Sequence, residues 1–60
     1  MDESTHSQII ESFNLYIEEN QKFADKGNKA AATRARKALL SLKKLATSRR
    51  VEIIDAKKAQ

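Results

Sequence analysis

The hydrophobic periodicity of this chain changes register at its only glycine, Gly27. Before Gly27 the apolar residues recur at the three- and four-residue spacing of one helical face, and after it they follow a different phase. Continuing the first register would place Arg34, Lys37 and Lys44 in a hydrophobic core, where unpaired charges are very costly. The register change therefore excludes one continuous helix. It predicts an antiparallel two-helix hairpin, an all-α fold that resembles a coiled coil.

The first predicted helix runs from about residue 8 to residue 26. Thr5 and Gln8 have the spacing of a capping box. Ser4 and Ser7 are alternative caps, so the start of the helix is defined only to within about one turn. Gly27 suits the left-handed position that follows a helix, and Asn28 is a preferred N-cap for the next helix. Residues 27 and 28 are therefore predicted to form the turn. The core face of the first helix is expected to contain Ile9, Ile10, Phe13, Tyr16, Ile17, Phe23 and Ala24.

The second predicted helix runs from about residue 29 to residue 58 and is the longer one. At about 1.5 Å per residue it measures roughly 45 Å, against roughly 28 Å for the first helix. Its end, which carries Val51, Ile53 and Ile54, is therefore expected to extend past the first helix without intramolecular cover. Its core series is predicted to be Ala32, Ala35, Leu39, Leu42, Ala46, Ile53 and Ala56, flanked by Ala31, Ala38 and Leu45.

The chain is interpreted as a single helical-hairpin domain that spans residues 1–60. A domain of this size buries only about 60% of its unfolded surface, and without Cys no disulfide can compensate. Self-association is therefore expected, most simply a two-fold dimer that forms a four-helix bundle, with a tetramer as the other possibility. The predicted oligomer interface consists of Leu40, Val51, Ile53 and Ile54.

The sequence lacks the residues on which enzymatic and metal sites are usually built. One His and no Cys provide neither a His pair nor a thiolate ligand. We therefore expect no enzymatic activity, no cofactor, no metal and no small-molecule substrate. No apolar run approaches the roughly 18 residues of a membrane span, and the start Met1-Asp2-Glu3 is unlike a signal peptide. No membrane association is expected, and a cytoplasmic location is predicted.

Charge is divided unequally along the chain. Residues 1–25 carry six acidic residues and one base, whereas residues 26–60 carry eleven bases and two acidic residues. No acidic residue occurs between Lys26 and Arg50, and a stretch of one sign is typical of proteins that bind a polyanion. The acidic residues Glu11, Glu18 and Asp25 repeat every seven residues on the first helix. We expect them to face a different direction from the bases.

The bases of the second helix also repeat every seven residues, so they are expected to form one stripe along it. Nucleic acid is the predicted partner, because a rod of ammonium and guanidinium groups matches the phosphate spacing of a duplex. The stripe has no Asn, Gln or aromatic residue, which predicts backbone contacts with little base specificity. The predicted DNA-binding residues are Lys29, Arg34, Arg36, Lys37, Lys43, Lys44, Arg50, Lys57 and Lys58.

The segment KGNKAAATRARK, from Lys26 to Lys37, resembles the bacterial linker-histone-like proteins, the small histone-like proteins of chlamydiae. Two helices that meet at Gly-Asn, followed by a helix rich in Ala, Arg and Lys, are typical of that family's N-terminal domain. The resemblance covers about residues 9–58 and is strongest at residues 26–45. It implies a non-enzymatic, non-specific DNA-binding protein of the nucleoid that helps to compact the chromosome. Many members also carry a long tail rich in Lys and Ala, whereas this sequence ends at Gln60.

Two other functions remain compatible with the same residues. A structural coiled-coil module could pair with an acidic protein through the basic stripe. A protein that binds RNA or associates with the ribosome could use the same phosphate contacts. Competition between duplex DNA and RNA separates the RNA alternative from DNA binding.

Overall fold

The chain forms an antiparallel hairpin of two α-helices, as the register change predicts. The structure is a computed structural model that describes residues 3–58. Helix α1 spans Glu3–Lys26 and helix α2 spans Lys29–Lys58. The Cα atoms occupy a rod of 49 × 14 × 13 Å. The fold therefore exposes both helices along their whole length.

The turn has the geometry that its sequence predicts. Gly27 adopts the left-handed conformation with φ of 63°, and its N–H donates to the Phe23 carbonyl oxygen over 2.8 Å. The Asn28 side-chain oxygen accepts hydrogen bonds from the backbone N–H groups of Ala30 and Ala31, at 3.0 and 3.2 Å. Asn28 is thus the N-cap of α2, and Gly27 ends α1 at an angle that sends the chain back.

Helix α1 begins at Glu3, more than one turn before the predicted start near residue 8. Thr5 is not an N-cap. Its hydroxyl lies inside the hairpin and donates to Glu52 Oε2 over 2.7 Å. Because this contact joins Thr5 to Glu52, Val51 lies alongside α1. The prediction that Val51 extends past the first helix is therefore wrong. Val51 is exposed because it lies on α2 outside the seam.

The contact between the helices is an interhelical seam that is lined mainly by small and polar side chains. On α2, Ala31, Ala35 and Ala38 are buried, and the series continues at the same spacing through half-buried residues. On α1, Thr5 and Glu19 are buried. Alternating steps of three and four residues are those of a coiled coil. The half-buried members of the seam are Ile9, Ser12, Tyr16, Leu42, Leu45, Arg49, Glu52 and Ala56.

The seam matches the predicted core series at five residues: Ile9, Tyr16, Ala35, Leu42 and Ala56. At the alternate positions of α2 it lies one residue earlier than predicted. Leu39, Ala46 and Ile53 are exposed, whereas their neighbours Ala38, Leu45 and Glu52 lie in the seam. On α1 the predicted core residues Ile10, Phe13, Ile17, Phe23 and Ala24 are likewise exposed. Small side chains let the two helices approach closely, so the largest apolar residues are left outside the seam.

The hairpin has two opposite sides, one on each flank of the seam, and a shallow groove marks one of them. Gln8, Glu11, Ser41 and Lys44 line one shallow groove, and each of them stands one position before a seam residue. Residues that stand one position after a seam residue therefore point to the other side of both helices. We call the side with the groove the polar face and the opposite side the apolar face. The apolar face contains Ile10, Phe13, Ile17, Ala32, Leu39, Ala46 and Ile53. The bases that follow a seam residue of α2 lie at its outer edge: Arg36, Lys43, Arg50 and Lys57.

Candidate nucleic-acid interface

The outward surface of α2 carries its bases in two rows. The bases are exposed, and each row repeats every seven residues. The first basic row borders the apolar face, and the second basic row borders the polar face. The first basic row consists of Lys29, Arg36, Lys43, Arg50 and Lys57. The second basic row consists of Lys37, Lys44 and Lys58, with Val51 at the intervening position.

A line of neutral residues separates the two basic rows. Thr33, Leu40, Thr47 and Ile54 lie on this line, and all of them are exposed. The threonine hydroxyls are turned back to the helix, because Thr33 bonds the Lys29 carbonyl at 3.3 Å and Thr47 bonds the Lys43 carbonyl at 3.1 Å. The ammonium and guanidinium groups are thus the principal polar groups of this surface. A shallow depression on it is lined by Thr33, Arg36, Lys37, Leu39, Leu40 and Lys43.

The length of the first basic row suits a polyanion. From Lys29 to Lys57 it extends about 42 Å at 1.5 Å per residue, within a rod of 49 Å. In the part of α2 that the structure describes, both acidic residues lie away from the rows: Glu52 belongs to the seam, and Asp55 stands one position before the seam residue Ala56. The outward surface of α2 is therefore uniformly positive.

Arg34 occupies a different place from the two rows. Its Nε lies 2.9 Å from Oε2 of Glu19, whose side chain is only 7% exposed. Lys22 approaches the same carboxylate at 3.6 Å. Interaction with the Arg34 guanidinium is the largest cause that holds the pKa of Glu19 below its ordinary value of 4.5, while burial opposes this shift and the charge of Lys22 adds to it. Arg34 therefore neutralises a seam carboxylate and links the two helices.

The open end of the hairpin holds a second polar contact. Arg49 Nη1 lies 3.1 Å from Glu52 Oε1, and Thr5 donates to the other oxygen of the same carboxylate. The sequence predicts that Arg49 extends along the end of the first helix rather than forming a functional centre. Arg49 is a half-buried seam residue whose partner is Glu52, so it does not belong to the exposed rows.

The acidic residues of α1 do not all face away from the bases. Glu11 and Lys44 line the same groove on the polar face, so the expectation that the two stripes face different directions is wrong for this pair. Glu18 lies 3.5 Å from Lys22 on its own helix. Among the residues that the structure describes, the ion pair between the helices is that of Glu19 with Arg34.

The residues predicted as an oligomer interface are divided among three surfaces. Leu40 and Ile54 lie between the basic rows, Val51 lies in the second row, and Ile53 lies on the apolar face. Sequence reasoning missed the exposed group formed by Ile10, Phe13, Ile17 and Leu39. Their large size made them look like core, and the signal that identifies the true seam is the regular spacing of the small residues Ala31, Ala35 and Ala38.

A family model described as "Histone H1-like protein Hc1" matches residues 3–59. The chain belongs to this histone H1-like family. The resemblance that residues 26–37 carry is thereby confirmed. The family consists of DNA-binding structural proteins and is not known as enzymatic. No curated protein and no solved structure matches the chain. Within residues 3–58, neither helix is long and apolar enough to cross a membrane.

Proposed function

We propose that this chain binds duplex DNA without sequence specificity, as a nucleoid protein that helps to organise the bacterial chromosome. The observation that carries the proposal is the outward surface of α2, where two exposed rows of bases follow the helix with no acidic residue between them. A positive surface of this length displaces condensed counterions from DNA, which is the source of sequence-independent affinity. Membership of a DNA-binding histone-like family supports the same function.

The chemistry of the surface argues against base reading. Specific contacts usually need Asn, Gln or Arg placed against base edges, and unpaired bases are bound by stacking on aromatic rings. Between the basic rows stand Thr33, Leu40, Thr47 and Ile54, which offer neither side-chain amides nor rings. We therefore assign phosphate contacts to the two basic rows. Arg34 has a smaller part in this proposal, because its guanidinium already pairs with Glu19.

Self-association through the apolar face belongs to the same proposal. Five large apolar residues of that face are each between 46% and 51% exposed: Ile10, Phe13, Ile17, Leu39 and Ile53. Among residues 4–58, Ala31 is 0% exposed and no large side chain is fully buried. Exposed apolar patches on so small a domain mark interaction surfaces. A second copy of the hairpin would cover this patch and form a four-helix bundle.

This interface replaces most of the predicted one. Leu40, Val51 and Ile54 are surrounded by the bases of the two rows, and burying them would also bury those charges at a high desolvation cost. The first basic row lies at the edge of the apolar face, and the second basic row lies beyond that edge. A dimer formed there would therefore present two DNA-binding surfaces.

The test is a binding comparison among nucleic acids. Fluorescence anisotropy with several duplexes of unrelated sequence is expected to give affinities equal within a few fold, because phosphates are contacted and bases are not. Unlabelled duplex RNA is then added as a competitor. Displacement of DNA only by a large excess of RNA agrees with the proposal. Preferential RNA binding, or no shift of any duplex, would contradict it and favour the RNA-binding or protein-pairing alternative.

A further inference from the structure

The polar face carries its own charge pattern, and we propose that it is a second, electrostatic docking surface for another copy of this chain. On α1 this face presents Glu11 and Glu18, on α2 it presents Lys37 and Lys44, and all four side chains are exposed. Two other charged residues of α2 stand one position before a seam residue: Arg34, which pairs with Glu19, and Asp55, near the open end of the hairpin. The proposal concerns self-association in the absence of DNA, so it stands or falls separately from the proposed function.

The register of the hairpin places these four charges as two opposed pairs. Glu11 and Lys44 flank the same groove, so they are level with each other along the rod. Seven residues nearer the turn on each helix, Glu18 comes level with Lys37. The contact of Glu19 with Arg34 fixes this part of the register. The polar face is therefore a rectangle with two acids along one edge and two bases along the other.

Such a rectangle is self-complementary in one orientation. If two polar faces meet about a two-fold axis parallel to the rod, α1 of each copy lies over α2 of the other. Each glutamate then faces a lysine of the second copy at the same level: Glu11 faces Lys44, and Glu18 faces Lys37. The perpendicular two-fold axis that stacks α1 on α1 would instead place acid against acid, so the charges select the first arrangement.

The centre of the rectangle carries an apolar side chain. Leu15 lies between the levels of Glu11 and Glu18, and it is 43% exposed although its neighbours on this face are polar. Ser41, the residue across the seam at about this level, is small enough to leave room for a leucine. In the two-fold arrangement Leu15 of each copy lies over Ser41 of the other, so the two leucines flank the axis diagonally with the charged pairs around them. An apolar centre within a polar rim is the usual anatomy of a specific interface.

The arrangement divides the basic rows between two tasks. The second basic row, through Lys37 and Lys44, faces acidic residues of the other copy. The first basic row has no acidic counterpart and stays open to phosphates. Glu18 also contacts Lys22 at 3.5 Å, but its side chain remains 65% exposed and can receive a second base. With the apolar face on the opposite side, alternate use of both faces would join hairpins into an open-ended stack.

Sedimentation of the full chain without DNA tests the proposal. Exposed ion pairs weaken with screening, so assembly is measured at about 10 mM salt, where the Debye length is about 30 Å, and at about 1 M salt, where it is about 3 Å. The parent chain is expected to form particles of roughly twice the mass, or more, at low salt than at high salt. Equal masses at both salt concentrations would overturn the proposal.

Two charge-reversal variants give the sharper result. The variant Glu11→Lys with Glu18→Lys, and separately the variant Lys37→Glu with Lys44→Glu, should each lose the low-salt species. An equimolar mixture should regain it, because an all-basic face then meets an all-acidic face. Circular dichroism verifies that each variant is helical. Loss in both variants without recovery in the mixture would contradict the proposed pairing.

Leu15→Gln provides a test that leaves every charge in place. It is expected to reduce the low-salt species, whereas Leu40→Gln, on the outward surface of α2, should leave it unchanged. An equal effect of both substitutions, or no effect of Leu15→Gln, would place the contact elsewhere. Anisotropy of Leu15→Gln on duplex DNA, measured alongside, reports the proposed function independently, since Leu15 lies on α1 and outside both basic rows.

Discussion

At the residue scale, Glu19 shows how a charged side chain can belong to a helix seam. Glu19 is 5% exposed, which would be costly without compensation. Arg34 at 2.9 Å and Lys22 at 3.6 Å supply that compensation from both helices. The sequence shows Glu18 and Glu19 as neighbours about 100° apart on the helix, but it does not indicate which one turns inward. That choice depends on the register of the seam, which is hard to recognise in the sequence because the largest apolar residues stand next to the seam.

Glu19 predicts a loss of stability in acid. Its pKa in the hairpin is lowered from 4.5, mainly by Arg34, so its contribution is present above the unfolded pKa and is lost as pH falls through the lower folded pKa. In urea unfolding at fixed protein concentration, the urea concentration at which half of the parent chain is unfolded should therefore decrease once the pH is lowered below about 4.5. Glu19→Gln should be less stable than the parent at neutral pH and should lose less on acidification. An identical pH dependence in both chains would refute the assignment.

At the element scale, the turn and the extent of α2 could be predicted because local chemistry determines them. Gly27 and Asn28 carry the signals for ending one helix and starting another, and the structure shows both. The start of α1 could not be predicted from Thr5, because its hydroxyl is used by Glu52, a residue far away in the chain. The seam was predicted correctly at Ala35 and Leu42 but one position late at the alternate places of α2, because hydrophobicity marks Leu39 more strongly than Ala38. Local signals identify helix ends, whereas the choice of contact face is tertiary.

The turn makes a prediction about backbone conformation. Gly27→Ala should lower the free energy of unfolding by about 1 kcal/mol, because a left-handed φ is unfavourable for a residue with a Cβ. Apart from the two adjacent residues, nothing lies within 4 Å of that Cβ position, so the effect is due to the backbone alone. Gly27→Asn is the matched control and should cost less, since Asn tolerates this conformation. Urea unfolding measures both. An equal loss for the two substitutions would point to a different cause.

At the scale of the whole molecule, the hairpin has a thin seam and three distinct outer surfaces. The apolar face gathers large residues from both helices, the polar face carries acids on α1 and bases on α2, and the outward surface of α2 is positive. The basic rows could be predicted from the sequence, because charge repeats are visible there, whereas the need for a partner stays a prediction. The apolar face could not be predicted, because assigning Ile10, Phe13 and Ile17 to the hairpin core left other apolar residues of α2 as the predicted oligomer interface.

The apolar face predicts which substitutions separate the oligomer. Phe13→Ser with Leu39→Ser should yield monomers at concentrations where the parent self-associates in high salt. Burying the exposed half of each side chain contributes roughly 1 kcal/mol to the free energy of association. Both side chains are present in every copy, so a dimer loses each contribution twice. Leu40→Ser with Ile54→Ser is the matched control on the outward surface of α2 and should leave the mass unchanged. Sedimentation equilibrium distinguishes the two variants. Dissociation of the control alone would contradict this assignment and favour an interface located among the basic rows.

The salt dependence of DNA binding tests the central assignment most directly. If about five bases of the outward surface contact phosphates, log affinity should fall against log salt with a slope of roughly −4 to −5, at about 0.9 counterions released per phosphate. Arg36→Gln with Lys43→Gln should reduce the slope by about one to two. Lys22→Gln with Lys26→Gln removes the same charge from α1 and should leave the slope unchanged. A parent slope near zero, or equal losses from the two pairs, would contradict the account.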